Sequence, residues 1–295
     1  MRRSMLFLPG NTPNIIVNGD ALGADALILD LEDAVAPAEK DAARILVRSA
    51  IGYMRFRNCE TIVRINSIDT LDWKQDLEEI MEVRPDVIML PKASYAGDVK
   101  RTDEAIAELE ERHGHAAGSV KIMPLIETAL GVENALEIAR ASERVVGIFL
   151  GGEDLTADLQ CKRTKVGTEI LYARTRLVCA ARAAGVEVYD TPFTDVNDDE
   201  GIYADARFAK GLGFSGKAAI SPRHVRAINE VFSPSVEEID YAYQVIEAIR
   251  DAEARGKGAV SLRGKMIDAP IVARARQTIA AAEALGLGRG DGRGE

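Results

Sequence analysis

The sequence predicts an α/β protein, a (β/α)8 barrel followed by a helical extension. Three observations lead to this prediction. Short apolar, β-branched runs recur along the chain, and amphipathic helical patterns lie between them. The first run is followed by the turn LPGNTPN at 8–14, with a single glycine, whereas a doubly wound open sheet would be expected to carry a glycine-rich phosphate turn there.

Eight runs have the length and composition of buried strands. They are continuously apolar, which is typical of strands covered on both faces, as a parallel sheet requires. Eight such strands in series with helices favour a closed barrel. The runs cover residues 4–9, 25–30, 60–66, 86–92, 120–127, 144–151, 186–190 and 216–221.

Amphipathic patterns predict helices between the strands, for example over 72–83, 95–114 and 167–185. Gly185 stands where the third of these helices should end, because glycine readily adopts the left-handed conformation found at helix C-termini.

The domain boundaries follow from a turn signal, FSPSVEEID, at 232–240. We expect the barrel to occupy 1–232 and a C-terminal helical extension to occupy 233–285, with helices at about 236–254 and 270–285. The Gly-rich charged tail, 286–295, is predicted to be disordered.

Composition excludes several classes of partner. The chain of 295 residues carries a net charge of −10, with its basic residues scattered, so we expect no nucleic-acid partner. No apolar run approaches the roughly 18 residues of a membrane span. Three cysteines without zinc-ligand spacing suit a reduced, cytoplasmic setting.

Carboxylates follow several predicted strands, at the barrel face where active sites form. Glu127 and Asp154 terminate consecutive predicted strands, which are neighbours in a barrel, so their side chains could meet at one ion. Because no histidine or cysteine accompanies them, Mg2+ with oxygen ligands is the expected metal. The structural alternative is that each residue caps the helix that follows it.

The segment LDLEDAV places Asp30, Glu32 and Asp33 within four residues, and these cannot all be buried without a cation nearby. Lys40 is one structural partner, and a metal with its waters is the functional one. Arg64 follows another strand, where its guanidinium could hold a substrate carboxylate or thioester oxygen in a fork. Its alternative is an ion pair with the LDLED acids, and both roles are compatible.

Lys92 and Glu153 complete the polar residues of this rim. We assign both, with the LDLED acids, to supporting positions around the metal. Lys92 could in principle form a Schiff base, but the acidic cluster favours a metal-dependent route. No Ser-His-Asp or Cys-His nucleophile set is visible.

Eight blocks, in order, carry a family resemblance over about residues 2–280: RRSMLFLPGN, ALILDLEDAV, IVRIN, VIMLPK, IETALGV, ASERVVGIFLGGEDL, GFSGKAAISPRHV and GAVSLRGKMIDAPIV. The chain resembles the citrate lyase beta-subunit family and its relatives, the malyl-CoA and citramalyl-CoA lyases.

The resemblance implies a TIM barrel of the phosphoenolpyruvate/pyruvate superfamily type. It implies that Glu127 and Asp154 bind Mg2+, that Arg64, with Glu127, binds substrate, and that Arg64 also acts in catalysis. It further implies a homo-oligomer, a trimer or hexamer, in which the C-terminal extension of one subunit reaches the next. Asp268 of that extension would be the catalytic acid or base in the neighbour's site; without the resemblance it would be interpreted as a helix cap.

The implied reaction is the cleavage of a citryl thioester, on acyl carrier protein or CoA, to oxaloacetate and an acetyl thioester, with citrate lyase alpha and gamma subunits as possible partners. The alternative is a stand-alone malyl-CoA or citramalyl-CoA lyase that releases glyoxylate or pyruvate and acetyl-CoA. A catalytically silent structural subunit is a third class. Some positions differ from the family's usual pattern, namely Ser215 in GFSGK, His224 in SPRH and the segment LTAD. They leave the choice of substrate open.

Overall fold

The computed structural model describes residues 1–54, 56–254 and 260–289. Eight parallel strands follow one another in chain order around a closed barrel, and the last pairs with the first. The predicted (β/α)8 fold is confirmed. The strands are β1 (Ser4–Pro9), β2 (Ala26–Asp30), β3 (Glu60–Arg64), β4 (Val87–Leu90), β5 (Lys121–Ile126), β6 (Gly147–Leu150), β7 (Glu187–Asp190) and β8 (Gly216–Ala219).

Helices follow the strands. Up to Phe232, the described residues include the helices α1 (Pro13–Val17), α2 (Lys40–Tyr53), α3 (Asp72–Met81), α4 (Ala96–His113), α5 (Ala129–Glu133), α6 (Ala135–Ala139), α7 (Gly152–Asp158), α8 (Leu171–Ala184), α9 (Asp199–Leu212) and α10 (Pro222–Phe232). Gly185 ends α8 with φ of 77°, in the left-handed region that favours glycine.

The barrel interior is filled by alternate residues of the strands, since successive side chains of a strand point to opposite faces. Ile28, Ile62, Leu125, Phe149 and Tyr189 belong to this buried interior cluster. A residue two positions further along a strand points the same way. The alternation therefore aims the residues just past the strand ends into the C-terminal mouth of the barrel.

A second compact unit begins at Val231. It consists of α11 (Val236–Ala254), a hairpin of β9 (Val260–Leu262) and β10 (Lys265–Ile267), and α12 (Ala269–Ala284). Both helices were predicted, whereas the hairpin was not. Residues 255–259, between the two predicted helices of the extension, and residues 290–295 of the predicted disordered tail lie outside the described residues.

The apolar stripe of α12 is partly covered within its own unit. Ala275 is buried with Val245 of α11, and Ile271 and Ile279 pack against the same cluster. No helix in the described ranges is both long enough and apolar enough to cross a membrane.

Candidate active site

A cavity of about 410 Å³ opens at the C-terminal face of the barrel. This size suits a small ligand or the reacting part of a larger one. Phe7, Leu125 and Phe149 contribute apolar walls, and the ring of Phe7 meets that of Phe149 edge to face at 6.0 Å between centroids. The polar walls are formed by Asp30, Asp33, Arg64, Glu127, Glu153, Asp154 and Thr191.

Arg64 is held by a fork of hydrogen bonds. Its Nε and Nη2 donate to Asp30 Oδ1 and Oδ2 at 2.7 and 2.5 Å, and the two residues are register partners at the ends of β3 and β2. Its Cζ lies 5.1 Å from the ring centroid of Phe7. Burial alone would lower the pKa of Arg64, but the hydrogen bonds and charge of Asp30 outweigh it and raise that pKa. The guanidinium is thus a fixed cation at the cavity wall.

The carboxylates of the LDLED segment form ion pairs with Arg64 and Lys92. Glu32 is buried, with its Oε2 3.0 Å from Arg64 Nη1 and its Oε1 2.6 Å from Lys92 Nζ. Burial raises the pKa of Glu32, and Arg64 and Lys92 oppose this rise. Asp33 is largely exposed and lies 3.9 Å from both cations.

Lys40, expected as a partner of these acids, instead donates to the backbone carbonyls of Leu31 and Glu32, each at 2.7 Å. It therefore shapes the loop without neutralising its carboxylates.

Lys92 contacts carboxylates that follow several different strands. Its φ of 53° is a left-handed conformation that is costly for a residue with a side chain. Its backbone N–H donates to Glu127 Oε1 at 2.9 Å, while its ammonium contacts Glu32 and lies 3.7 Å from Asp154 Oδ2. Partial burial alone would lower the pKa of Lys92, but these ion pairs outweigh it and raise that pKa. The side chain is therefore a cation rather than a free amine. This state does not suit a Schiff-base nucleophile.

Glu127 directly follows β5 and is 3% exposed. Burial, then the charges of Asp154 and Glu32, raise the pKa of Glu127 to about 8. Thr128, not Glu127, caps α5, accepting a hydrogen bond from Gly131 N at 3.0 Å. The helix-cap alternative for Glu127 is thus not observed.

Asp154 lies in the first turn of α7, four residues beyond the end of β6. Glu153 precedes it, is exposed, and has its Oε1 3.8 Å from Arg163 Nε. The expectation that Asp154 directly terminates a strand is therefore corrected: a Gly-Gly turn and a short helix carry it to the cavity that Glu127 also lines.

The donors present fit a hard divalent cation. Two carboxylates, Glu127 and Asp154, share the cavity. Burial is the main cause of the raised pKa of Glu127, and the negative charges of Asp154 and Glu32 raise it further, so a bound cation would favour the ionised carboxylate. A β-carbon on Gly151 would lie 2.4 Å from Glu127 Oε2, so this glycine leaves room for the carboxylate. Within the described residues no group of three or more Asp, Glu, His or Cys side chains is disposed to hold an ion. Mg2+ requires only one or two, with water and substrate supplying the rest.

Sequence reasoning missed Thr191, Phe7 and the two glycines before Glu153. Thr191 could have been found from strand alternation, since it lies two residues beyond the inward-facing Tyr189.

Asp268 caps α12, and its Oδ1 accepts a hydrogen bond from Ile271 N at 3.2 Å. A helix cap can also be a catalytic acid, so its role in a neighbour's site stays a prediction.

Two of the residues that differ from the family's usual pattern, Ser215 and His224, lie away from the cavity lining. Ser215 precedes β8, at the opposite face of the barrel, where its Oγ accepts from Arg182 at 3.0 Å. His224 is fully buried in α10, and its ring lies 6.1 Å from that of Phe193.

Residues 3–222 match the family described as HpcH/HpaI aldolase/citrate lyase. The chain belongs to this family. It is 43% identical to the citrate lyase subunit beta of Leuconostoc mesenteroides subsp. cremoris, over 96% of this chain and 94% of that protein. It is 35% identical to an L-malyl-CoA/beta-methylmalyl-CoA lyase of Cereibacter sphaeroides, over 96% and 95% of the two chains.

Among solved structures, the chain is similar to the protein CitE from Mycobacterium tuberculosis, crystallised in complex with magnesium, acetoacetate and coenzyme A. The two share 32% identity and a TM-score of 0.79, over 96% of this chain and 98% of that one. This member of the citrate lyase family is accordingly a lyase.

Proposed function

We propose that this protein is a Mg2+-dependent carbon–carbon lyase that cleaves a citryl thioester, on acyl carrier protein or CoA, to oxaloacetate and an acetyl thioester. The observation that carries the proposal is the shared cavity of Glu127 and Asp154, with the locked cation Arg64 in its wall. Similarity at 43% identity to a citrate lyase beta subunit supports the citryl substrate, and the coenzyme A complex of CitE supports a thioester. A cytoplasmic location is part of the same proposal.

Glu127 and Asp154 would hold the magnesium ion. When bound, it supplies a Lewis acid for a substrate oxygen. Asp30 keeps the Arg64 fork fixed, so its positive charge meets negative charge that develops on the substrate without first having to reorient. Phe7, Leu125 and Phe149 give the cavity apolar walls, and surroundings of low dielectric constant strengthen electrostatic interactions.

The bond that breaks joins the thioester α-carbon to the carbon that bears the hydroxyl. A general base accepts the hydroxyl proton, that carbon becomes the keto carbon of oxaloacetate, and the bonding electron pair moves onto the thioester as an enolate. Arg64 stabilises the enolate charge. Asp268 of a neighbouring subunit delivers a proton to the α-carbon, which completes the acetyl thioester.

A second candidate is a stand-alone malyl-CoA or citramalyl-CoA lyase, favoured by the 35% identity to a malyl-CoA lyase over nearly the whole chain. The two candidates differ in the substituents on the carbon that bears the hydroxyl. The cavity chemistry described above serves both, so the substrate decides between them.

The test is a panel of citryl, malyl and citramalyl thioesters, each presented on CoA and on acyl carrier protein, with the released oxo acid identified by mass spectrometry. We expect magnesium-dependent release of oxaloacetate from a citryl thioester at the highest kcat/KM. Preferential release of glyoxylate or pyruvate would establish the second candidate. No cleavage of any thioester, with Mg2+ and a folded protein, would leave the structural subunit as the remaining class.

A further inference from the structure

A buried ion network lies behind the site, between β7, β8 and the helices α8 and α9. Arg174 donates through Nε and Nη2 to both oxygens of Asp190 at 2.9 Å, and Lys217 Nζ donates to Asp190 at 2.6 Å. Asp205 completes the network, with its Oδ2 2.5 Å from Lys217 Nζ. Lys217 makes one further bond, to the backbone carbonyl of Thr191 at 2.6 Å. The network therefore fixes the backbone of the residue that follows β7.

Thr191 turns its side chain to the cavity. Its Oγ1 accepts a hydrogen bond from Gly152 N at 3.0 Å. A β-carbon on Gly152 would lie 2.7 Å from that oxygen, and one on Gly151 would lie 2.4 Å from Glu127 Oε2. The two glycines thus pass between the side chains of Thr191 and Glu127 in a space that no larger residue could share.

Gly152 is the first residue of α7, and Asp154 lies two residues later in the same turn. An N–H in the first turn of a helix has no partner within the helix, and here Thr191 supplies one. We propose that Thr191 is a positioning residue for the metal centre: its hydroxyl fixes the Gly151–Gly152 turn and so sets the place of Asp154 relative to Glu127. This inference rests on the proposed function, in which those two carboxylates hold the metal.

The test compares Thr191→Val, which keeps the shape and removes the acceptor, with Thr191→Ser, which keeps the acceptor. Thr102→Val is the matched control, because Thr102 is also fully buried and its hydroxyl donates to a backbone carbonyl within α4, at 2.9 Å from Asp98 O. Binding of Mn2+ alone is measured by electron paramagnetic resonance of the free ion, without substrate, alongside Tm.

We expect the Mn2+ Kd of Thr191→Val to rise by about 10-fold or more, as for other residues that orient metal ligands. The Kd of Thr191→Ser and of Thr102→Val should stay within about threefold of wild type. In turnover assays, the Mg2+ concentration for half-maximal activity should rise for Thr191→Val only.

An unchanged Mn2+ Kd in folded Thr191→Val would overturn this inference and leave the proposed metal centre standing. An equal loss in Thr102→Val, with an equal fall in Tm, would also overturn it, because it would trace the effect to general stability. Failure of the wild-type protein to bind Mn2+ would overturn the metal centre itself and the inference with it.

Discussion

The proposed metal centre depends on two side chains, those of Glu127 and Asp154. Glu127→Gln and Asp154→Asn each remove the charge of one proposed oxygen ligand while keeping nearly the same shape, so we expect Mg2+-dependent cleavage to fall to background in both variants. Since neither change removes a packing group, Tm should stay near the wild-type value. Steady-state assays across a Mg2+ titration, with circular dichroism as the folding check, test this. Near-wild-type activity with an unchanged Mg2+ requirement would show that the substituted residue is not a ligand.

A substitution at Arg64 separates the effect of side-chain geometry from the effect of side-chain charge. Arg64→Lys retains a positive charge, but a single ammonium cannot reproduce the planar fork that now bonds both oxygens of Asp30. We expect kcat/KM to fall by about 100-fold, the scale of losing one preorganised donor to developing negative charge. Kinetics with a cleaved thioester measure the effect. If kcat/KM were unchanged, Arg64 would be only a structural partner of the LDLED acids.

The sequence predicted Arg64, Glu127 and Asp154 as occupants of one rim because strand ends converge in a barrel. It could not predict which cation neutralises which acid. Glu32 pairs with Lys92, whose backbone has a left-handed φ, and strand alternation contains no signal for that conformation. Thr191 was missed for another reason: as an uncharged residue after a short strand, it carries no distinctive chemistry by itself.

At the scale of elements, all eight predicted strands are present, with ends that differ by up to three residues. Long apolar runs identify strands well because burial on both faces leaves a strong pattern. The sequence did not predict the bounds of the short helices α5, α6 and α7, since five to seven residues show too little of the helical period. The hairpin of β9 and β10 has only three residues in each strand, too few to show the alternating pattern of a strand.

One buried carboxylate joins helix α4 to the entry of the next strand. Glu110 is 1% exposed and accepts hydrogen bonds from Gly118 N and Val120 N at 2.9 Å and from Arg144 Nη2 at 2.6 Å. Burial alone would raise the pKa of Glu110, but the bonds from Arg144 and these two amides hold it at about 2. The folded-state pKa lies below the ordinary value, so ionised Glu110 stabilises the fold at neutral pH.

This stabilisation should be fully present above about pH 4.5 and be lost as pH falls towards about 2. Glu110→Gln should therefore lower the free energy of unfolding by on the order of 1–3 kcal/mol at pH 7, and by less at pH 3. Urea unfolding at both pH values measures the difference. Glu108→Gln, on the exposed face of the same helix, is the control and should change little. Equal unfolding free energies for Glu110→Gln and wild type at pH 7 would contradict the prediction.

At the scale of the whole molecule, the question is whether one chain contains a complete site. Asp268 is an exposed side chain at the start of α12, in the unit that begins at Val231. The apolar stripe of α12 is partly covered by α11 of its own unit. The prediction of a shared site therefore rests on the family resemblance of the segment around Asp268, and an assembly experiment tests it directly.

Asp268→Asn and Glu127→Gln should each be inactive alone, and should recover activity when they assemble together. In a mixed oligomer with random assortment, roughly a quarter of sites would combine an intact Glu127 from one subunit with an intact Asp268 from its neighbour. Only those sites should turn over. The two variants, each with a different affinity tag, are mixed under conditions that exchange subunits, and hetero-oligomers are isolated through both tags before assay. Activity no higher than that of the separate variants, with exchange verified by mass spectrometry, would mean that Asp268 acts only as the N-cap of α12.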